Sequence, residues 1–139
     1  MKCLILIALF CIPATAFASV ACVDLPASDD FACNVEMTYA LCSVTMQVAL
    51  LDSSRLQEAL DCITKYKTEI KLVYNSAKKA LSKNKQALEV LKDLYSYWLT
   101  SMDNIIPDPN ELKIIYENRI SERKLGIQER ANKLKVESE

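Results

Sequence analysis

Apolar residues recur along most of this chain at spacings of three and four, the period of a helix with one buried side. The clearest run follows Asp52-Ser53-Ser54. From Leu56 one heptad frame holds without a slip, with Leu56, Ile63, Ile70, Ala77, Asn84, Leu91, Trp98 and Ile105 at one seam position. Ala59, Tyr66, Val73, Ala80, Ala87, Leu94 and Ser101 occupy the other. Ser54 and Gln57 read as a capping box, and no Gly or Pro falls between Ser54 and Ile106. The pattern predicts one helix over about 54–105, roughly 75 Å long at 1.5 Å per residue. The polar stretch Ser82-Lys83-Asn84-Lys85-Gln86 sits at its middle. Asn84 at a seam position either fixes register in a long helix or lies in a loop between two shorter ones. The unbroken helix is the favoured expectation, since a reversal would not be expected to preserve the frame.

Upstream, a helix over about 29–51 starts at Asp29 or Asp30, acids suited to a cap and to the helix dipole. Its apolar stripe is Cys33, Met37, Ala40, Leu41, Val44, Val48 and Leu51. Downstream, Pro107 and Pro109 bracket a turn. Asp108 at the cap, Pro109 at the first position and Glu111 at the third then start a helix over about 109–135. Leu112, Ile115, Tyr116, Ile120, Ile127, Ala131 and Leu134 mark its inward side. Gly126 should cost this helix about 1 kcal/mol relative to Ala.

Short connections make neighbouring helices antiparallel. The expected fold class is therefore all-α: an elongated antiparallel helical bundle with one long central helix and the two flanking helices stacked end to end beside it. A rod two helices thick leaves apolar surface uncovered, which predicts self-association or a protein partner. The alternative is a compact four-helix bundle, broken near Asn84.

The first residues follow another pattern. Lys2 precedes the apolar run Leu4–Ile12, then Pro13, then Ala16-Phe17-Ala18. That order matches a secretory signal peptide over 1–18, and its run is far short of the roughly 20 residues a membrane span needs. A loop over 19–28 and a helical domain over 29–139 would follow. Ser19-Val20-Ala21-Cys22 offers a minor alternative, a lipoprotein box that would anchor the chain through Cys22. No later segment is apolar enough for an integral membrane span, so a periplasmic or secreted location is expected.

Removing the signal changes the cysteine count. Six are encoded, and Cys22, Cys33, Cys42 and Cys62 remain, an even set in an oxidising compartment that reads as two disulfides. Cys42 and Cys62 lie ten and eight residues either side of the Asp52–Ser54 turn. In an antiparallel hairpin they meet at nearly the same height, within the roughly 5.5 Å between Cα atoms that a disulfide needs. Cys42–Cys62 is expected as a staple, leaving Cys22–Cys33 to pin the N-terminal loop.

Losing Lys2 leaves sixteen Lys and Arg against eighteen Asp and Glu, a balance that argues against a nucleic-acid partner. The distribution is uneven, with acids dominating up to Asp61 and lysines dominating from Cys62 to Lys92. Lys71, Lys78, Lys85 and Lys92 recur every seven residues and would form one row down the long helix. Such a row is a solvated face or a docking stripe for an acidic partner. Tyr95, Tyr97 and Trp98 cluster before the Pro107 turn. Tyr95 and Trp98 lie on the seam, where core packing is the default expectation, while Tyr97 falls off it; aromatic residues of this kind also anchor interfaces, which makes the neighbourhood a candidate partner contact.

The chain has no His and one Gly. That removes the commonest general base, the standard triads and every Gly-rich phosphate loop. No metal or other cofactor is expected. The reading that follows is a non-enzymatic interaction factor, either an assembly or adaptor protein or an immunity-type inhibitor. The alternative is a carrier for a small apolar ligand or lipid.

Overall fold

The computed structural model describes residues 22–139, so residues 1–18, expected as a signal peptide, and residues 19–21 lie outside the described residues. Four helices form: α1 over Ala27–Leu51, α2 over Leu56–Ala80, α3 over Lys85–Asp103 and α4 over Lys113–Ser138. A single 3₁₀ turn, Ser53–Arg55, joins α1 to α2, and the described residues contain no strand. The protein is an all-α, disulfide-stapled helical bundle. α1 borders α2 and α4, α3 closes the square against α2 and α4, and α1 also touches α3 across the diagonal.

Helix α1 starts just after Pro26, with Asp29 and Asp30 in its first turn, where the dipole favours acids. Asn34 donates to both the carboxylate (2.9 Å) and the carbonyl (2.8 Å) of Asp30. The side that α1 buries is not the expected one. Phe31, Ala32, Val35, Tyr39, Cys42, Met46 and Ala49 are buried, while the stripe from Cys33 to Leu51 is half-buried or, at Val44 and Leu51, exposed. α1 is apolar on both sides, so period alone could not choose between them. The large rings of Phe31 and Tyr39 take the inside, because they remove the most apolar area from water.

The start of α2 also differs from its expected cap. Asp52, not Ser54, supplies the oxygen: its Oδ1 accepts the Ser54 amide (3.1 Å) and hydroxyl (2.6 Å), winding the 3₁₀ turn. Gln57 turns away to donate to Asp61. Behind this turn Cys42 is joined to Cys62 with Cα atoms 5.7 Å apart, and Cys22 to Cys33 at 5.8 Å. The hairpin geometry places Cys42–Cys62, and Cys22–Cys33 ties the segment before α1 to that helix. Since the sulfurs are bonded, the approach of Cys22 Sγ to Met37 Sδ (3.4 Å) is a packing contact rather than a hydrogen bond.

The single helix expected over 54–105 does not form. α2 ends at Ala80, and residues 81–84 reverse the chain into α3. Asn84 is the reason. Its Oδ1 caps α3 by accepting the Ala87 amide at 3.0 Å, and its Nδ2 donates to the Glu137 carbonyl at 2.9 Å. A residue that caps one helix and ties down the end of another is better satisfied in a turn than in mid-helix. The frame survives because each half buries its own seam: Ile63, Ile70 and Ala77 in α2, Leu91, Leu94 and Trp98 in α3. Two separate helices show the same periodicity as one. Asn84→Ala should cost about 1 kcal/mol in urea unfolding, the usual worth of such a cap.

Helix α4 begins four residues later than its motif suggests. Asp108 and Glu111 make only half of a capping box: the Asp108 amide donates to Glu111 Oε2 (3.3 Å), but the Glu111 amide goes to the Asp108 backbone carbonyl (3.0 Å) and the Asp108 carboxylate accepts from the Asn110 amide (2.9 Å). The result is a separate turn, because Leu112 is extended (φ −66°, ψ 142°) and Arg119 draws the Glu111 carboxylate toward α4.

Tyr39 and Tyr116 carry hydroxyls into this core. Tyr39 donates to the Ile120 carbonyl (3.2 Å) and Tyr116 to the Ile105 carbonyl (2.8 Å). Burial pushes both phenols up to about 12. In the unfolded chain they would ionise near pH 10. Their contribution is therefore complete below about pH 10 and is lost as the pH rises toward 12. Unfolding midpoints should be flat up to pH 10 and fall beyond it, as thermal unfolding followed by far-ultraviolet circular dichroism across that range checks.

Candidate interaction surface

Leu50, Leu51, Leu56, Ile106, Leu112, Ile114 and Ile115 are exposed, and all lie at one end of the bundle, where α1 and α3 finish and α2 and α4 begin. Leu51 is 85 % exposed. Isolated exposed leucines need no explanation, but this many at one end form a patch of the kind that marks interaction sites.

A pocket of about 530 Å³ opens beside this patch. Gln47, Leu50 and Leu51 from the last turn of α1 form one wall, and Pro107, Asp108, Pro109 and Glu111 from the α3–α4 loop form another. The loop is held in place. Arg119 pairs with Glu111 through two nitrogens, at 2.9 and 2.6 Å, and donates to the Asn104 carbonyl, while the Tyr116 hydroxyl holds Ile105. The Arg119 guanidinium keeps the Glu111 carboxyl below its ordinary value of 4.5. A depressed carboxyl stabilises the fold above its unfolded value and loses that contribution as the pH falls through the folded one. Loop protection in hydrogen exchange at Asn104–Glu111 should hold above pH 5 and decline below 4.5, and Arg119→Gln should abolish that step.

The aromatic cluster is not part of this surface. Trp98 is 0 % exposed and belongs to the core, so it is unavailable as a partner anchor. Its indole N–H finds no acceptor among the described residues. Tyr95 stacks on Tyr74 with centroids 4.1 Å apart and meets Phe31 edge-on at 6.1 Å. Tyr97 falls off the seam yet is half-buried, its ring between the guanidinium groups of Arg123 (5.0 Å) and Arg130 (3.8 Å) and against Gly126. These rings cement α3 to α1, α2 and α4.

The chain matches no protein-family model, no curated protein and no solved structure.

The lysine row is folded in two by the turn at 81–84. Lys71 and Lys78 lie on α2, Lys85 and Lys92 on α3, all four exposed, and Lys92 is paired with Glu89 at 2.8 Å. They therefore gather at the opposite end of the bundle from the pocket instead of running down one helix. Lys78 and Lys79 sit in the last turn of α2, where cations offset the helix dipole. Among the described residues no group of three potential metal ligands comes together, and no helix is long and apolar enough to cross a membrane.

The end patch was within reach of the sequence in part. Ile105-Ile106-Pro107 and Glu111-Leu112-Lys113-Ile114-Ile115 each place apolar residues on both sides of a turn, more than one buried stripe can absorb.

Proposed function

We propose that this protein is a non-enzymatic binding factor, periplasmic or secreted, that engages another protein through the apolar end of its bundle. The observation that carries this reading is the concentration of seven exposed aliphatic residues, from Leu50 to Leu56 and from Ile106 to Ile115, at one end of the bundle, whereas Val23, Leu25, Val44, Leu72, Leu125 and Val136 are exposed at scattered positions elsewhere. Export is supported by the order Lys2, apolar run, Pro13, Ala16-Phe17-Ala18, and the two disulfides fit an oxidising compartment. An assembly or adaptor role and an immunity-type inhibitor both fit a small stapled bundle with one sticky end.

A second reading, a carrier of a small apolar ligand, is favoured by the pocket, whose volume falls in the range such ligands use. It lies at the end of the bundle and not between the helices, where Trp98, Met46, Met102 and Leu134 fill the interior. Cross-linking in the native compartment, purification and mass spectrometry separate the two. Stoichiometric recovery of one protein is expected, and recovery of an apolar small molecule with no protein would overturn the binding-factor reading.

A further inference from the structure

The apolar end has a charge as well as a shape, and together they define the segment that fits it. We infer that the end pocket docks a peptide segment of the partner that presents an apolar side chain beside a basic one. The inference rests on the protein-binding reading and specifies its contact.

The apolar requirement comes from Leu50, Leu51, Pro107, Pro109 and Tyr116, half of the ten residues that line the pocket. Two prolines and the Arg119 clamp fix the loop wall before any ligand arrives, so little ordering entropy remains to be lost on binding. The pocket is thus suited to an extended or helical segment placing one or two aliphatic groups against Leu51 and Pro109.

The basic requirement comes from the rim. Asp108, Glu111 and Glu117 face a single lining cation, Lys113. Glu111 is taken by Arg119. Lys113 reaches Glu117 only at 3.7 Å, with its side chain 81 % exposed, so water screens that pair and Glu117 keeps capacity for a second cation. Asp108 engages the Asn110 amide through Oδ1 alone. Behind Gln47, Leu50 and Leu51 lies the carbonyl end of α1, whose last turn contains no basic residue to offset its dipole. The amino end of α4 on the facing wall acts in the opposite sense, but its field adds to that of Lys113 on one side only. The side chains lining the pocket stay net negative. An acidic segment would meet the carboxylates of Asp108 and of Glu117, the latter only weakly offset by Lys113, whereas a Lys or Arg beside an aliphatic residue pairs with them while the aliphatic group is buried. A second copy is a poorer occupant, since it brings a lining of the same net negative charge to the contact.

The test is amide NMR of the disulfide-bonded protein, titrated with three capped peptides identical except for their central residues: Leu-Leu-Arg, Leu-Leu-Glu and Ser-Ser-Arg. The Leu-Leu-Arg peptide should shift Leu51, Lys113 and Glu117 and bind about fivefold more tightly than either control. Glu117→Lys should reverse the preference between Arg and Glu peptides, and Leu51→Asp should remove binding. Both positions are exposed, and unchanged dispersion elsewhere in the spectrum verifies that the variants fold. Equal affinity for Arg and Glu peptides, shifts confined to residues 78–85, or no shifts at all would each overturn the inference. So would concentration-dependent dimerisation abolished by Leu51→Asp. Capture of the cross-linked partner by Leu51→Asp at wild-type yield also overturns it, while leaving the protein-binding reading intact.

Discussion

Replacing Cys42 and Cys62 together by alanine should lower the unfolding free energy by about 3 kcal/mol, the chain-entropy value for a closed loop of this length. The bond joins residues 20 apart and ties α2 to α1. α2 depends on it more than any other helix would. Only Ala59, Ile63, Ile70 and Ala77 are fully buried along its 25 residues, and two of these are alanines with little apolar area to contribute. Alanine is the right replacement because Cys42 is completely buried and a serine hydroxyl there would add its own desolvation cost. Non-reducing urea unfolding of wild type and double variant measures the difference. A loss below about 1 kcal/mol would mean that packing, not the cross-link, holds α2 in place.

Gly126→Ala should destabilise the protein by about 1–2 kcal/mol, the opposite of what helix propensity alone dictates. In a free helix the change would gain about 1 kcal/mol. Here a Cβ would lie 2.5 Å from Tyr97 Cζ and 2.8 Å from Cε1, well inside contact distance. The ring has little room to retreat. Arg123 and Arg130 flank it, and Arg130 is itself held by Asp93 at 3.0 Å and by the Gly126 carbonyl at 3.1 Å. Overpacking of this kind costs about 1–3 kcal/mol, which outweighs the propensity gain. The decisive measurement is a double-mutant cycle. In a Tyr97→Ala background the same Gly126→Ala change should become stabilising, and if it stays destabilising the ring is not the cause.

The fold was legible where one residue type had one use. Cys42 and Cys62 flank the Asp52–Ser54 turn at matching heights, so the staple followed from spacing alone. Asn84 was recognised as the point of ambiguity, but its two uses, seam register and helix cap, give the same local sequence. Only its bond to Glu137, 53 residues away, decides between them. The inward side of α1 was illegible for a different reason. Both of its sides are apolar, and the choice of Phe31 and Tyr39 over Met37 and Val44 depends on what α2, α3 and α4 present. At the candidate site, Tyr95 and Trp98 fit either core packing, the default for seam positions, or an interface anchor, and they pack between helices, as does Tyr97, which the seam did not place. The patch that does lie exposed is built from Leu and Ile beside a turn, residues that in sequence are indistinguishable from core.

Both cross-links lie among the first 62 residues, closing loops of 11 and 20 residues. A chain threaded N-terminus first into an oxidising space therefore has all four thiols on the far side before α3 or α4 has emerged. Each pair's partner is its neighbour in order of arrival, so oxidation in sequence of appearance yields the native pairing with no reshuffling. On the proposed export route, the second half of the protein would fold against a hairpin already covalently closed.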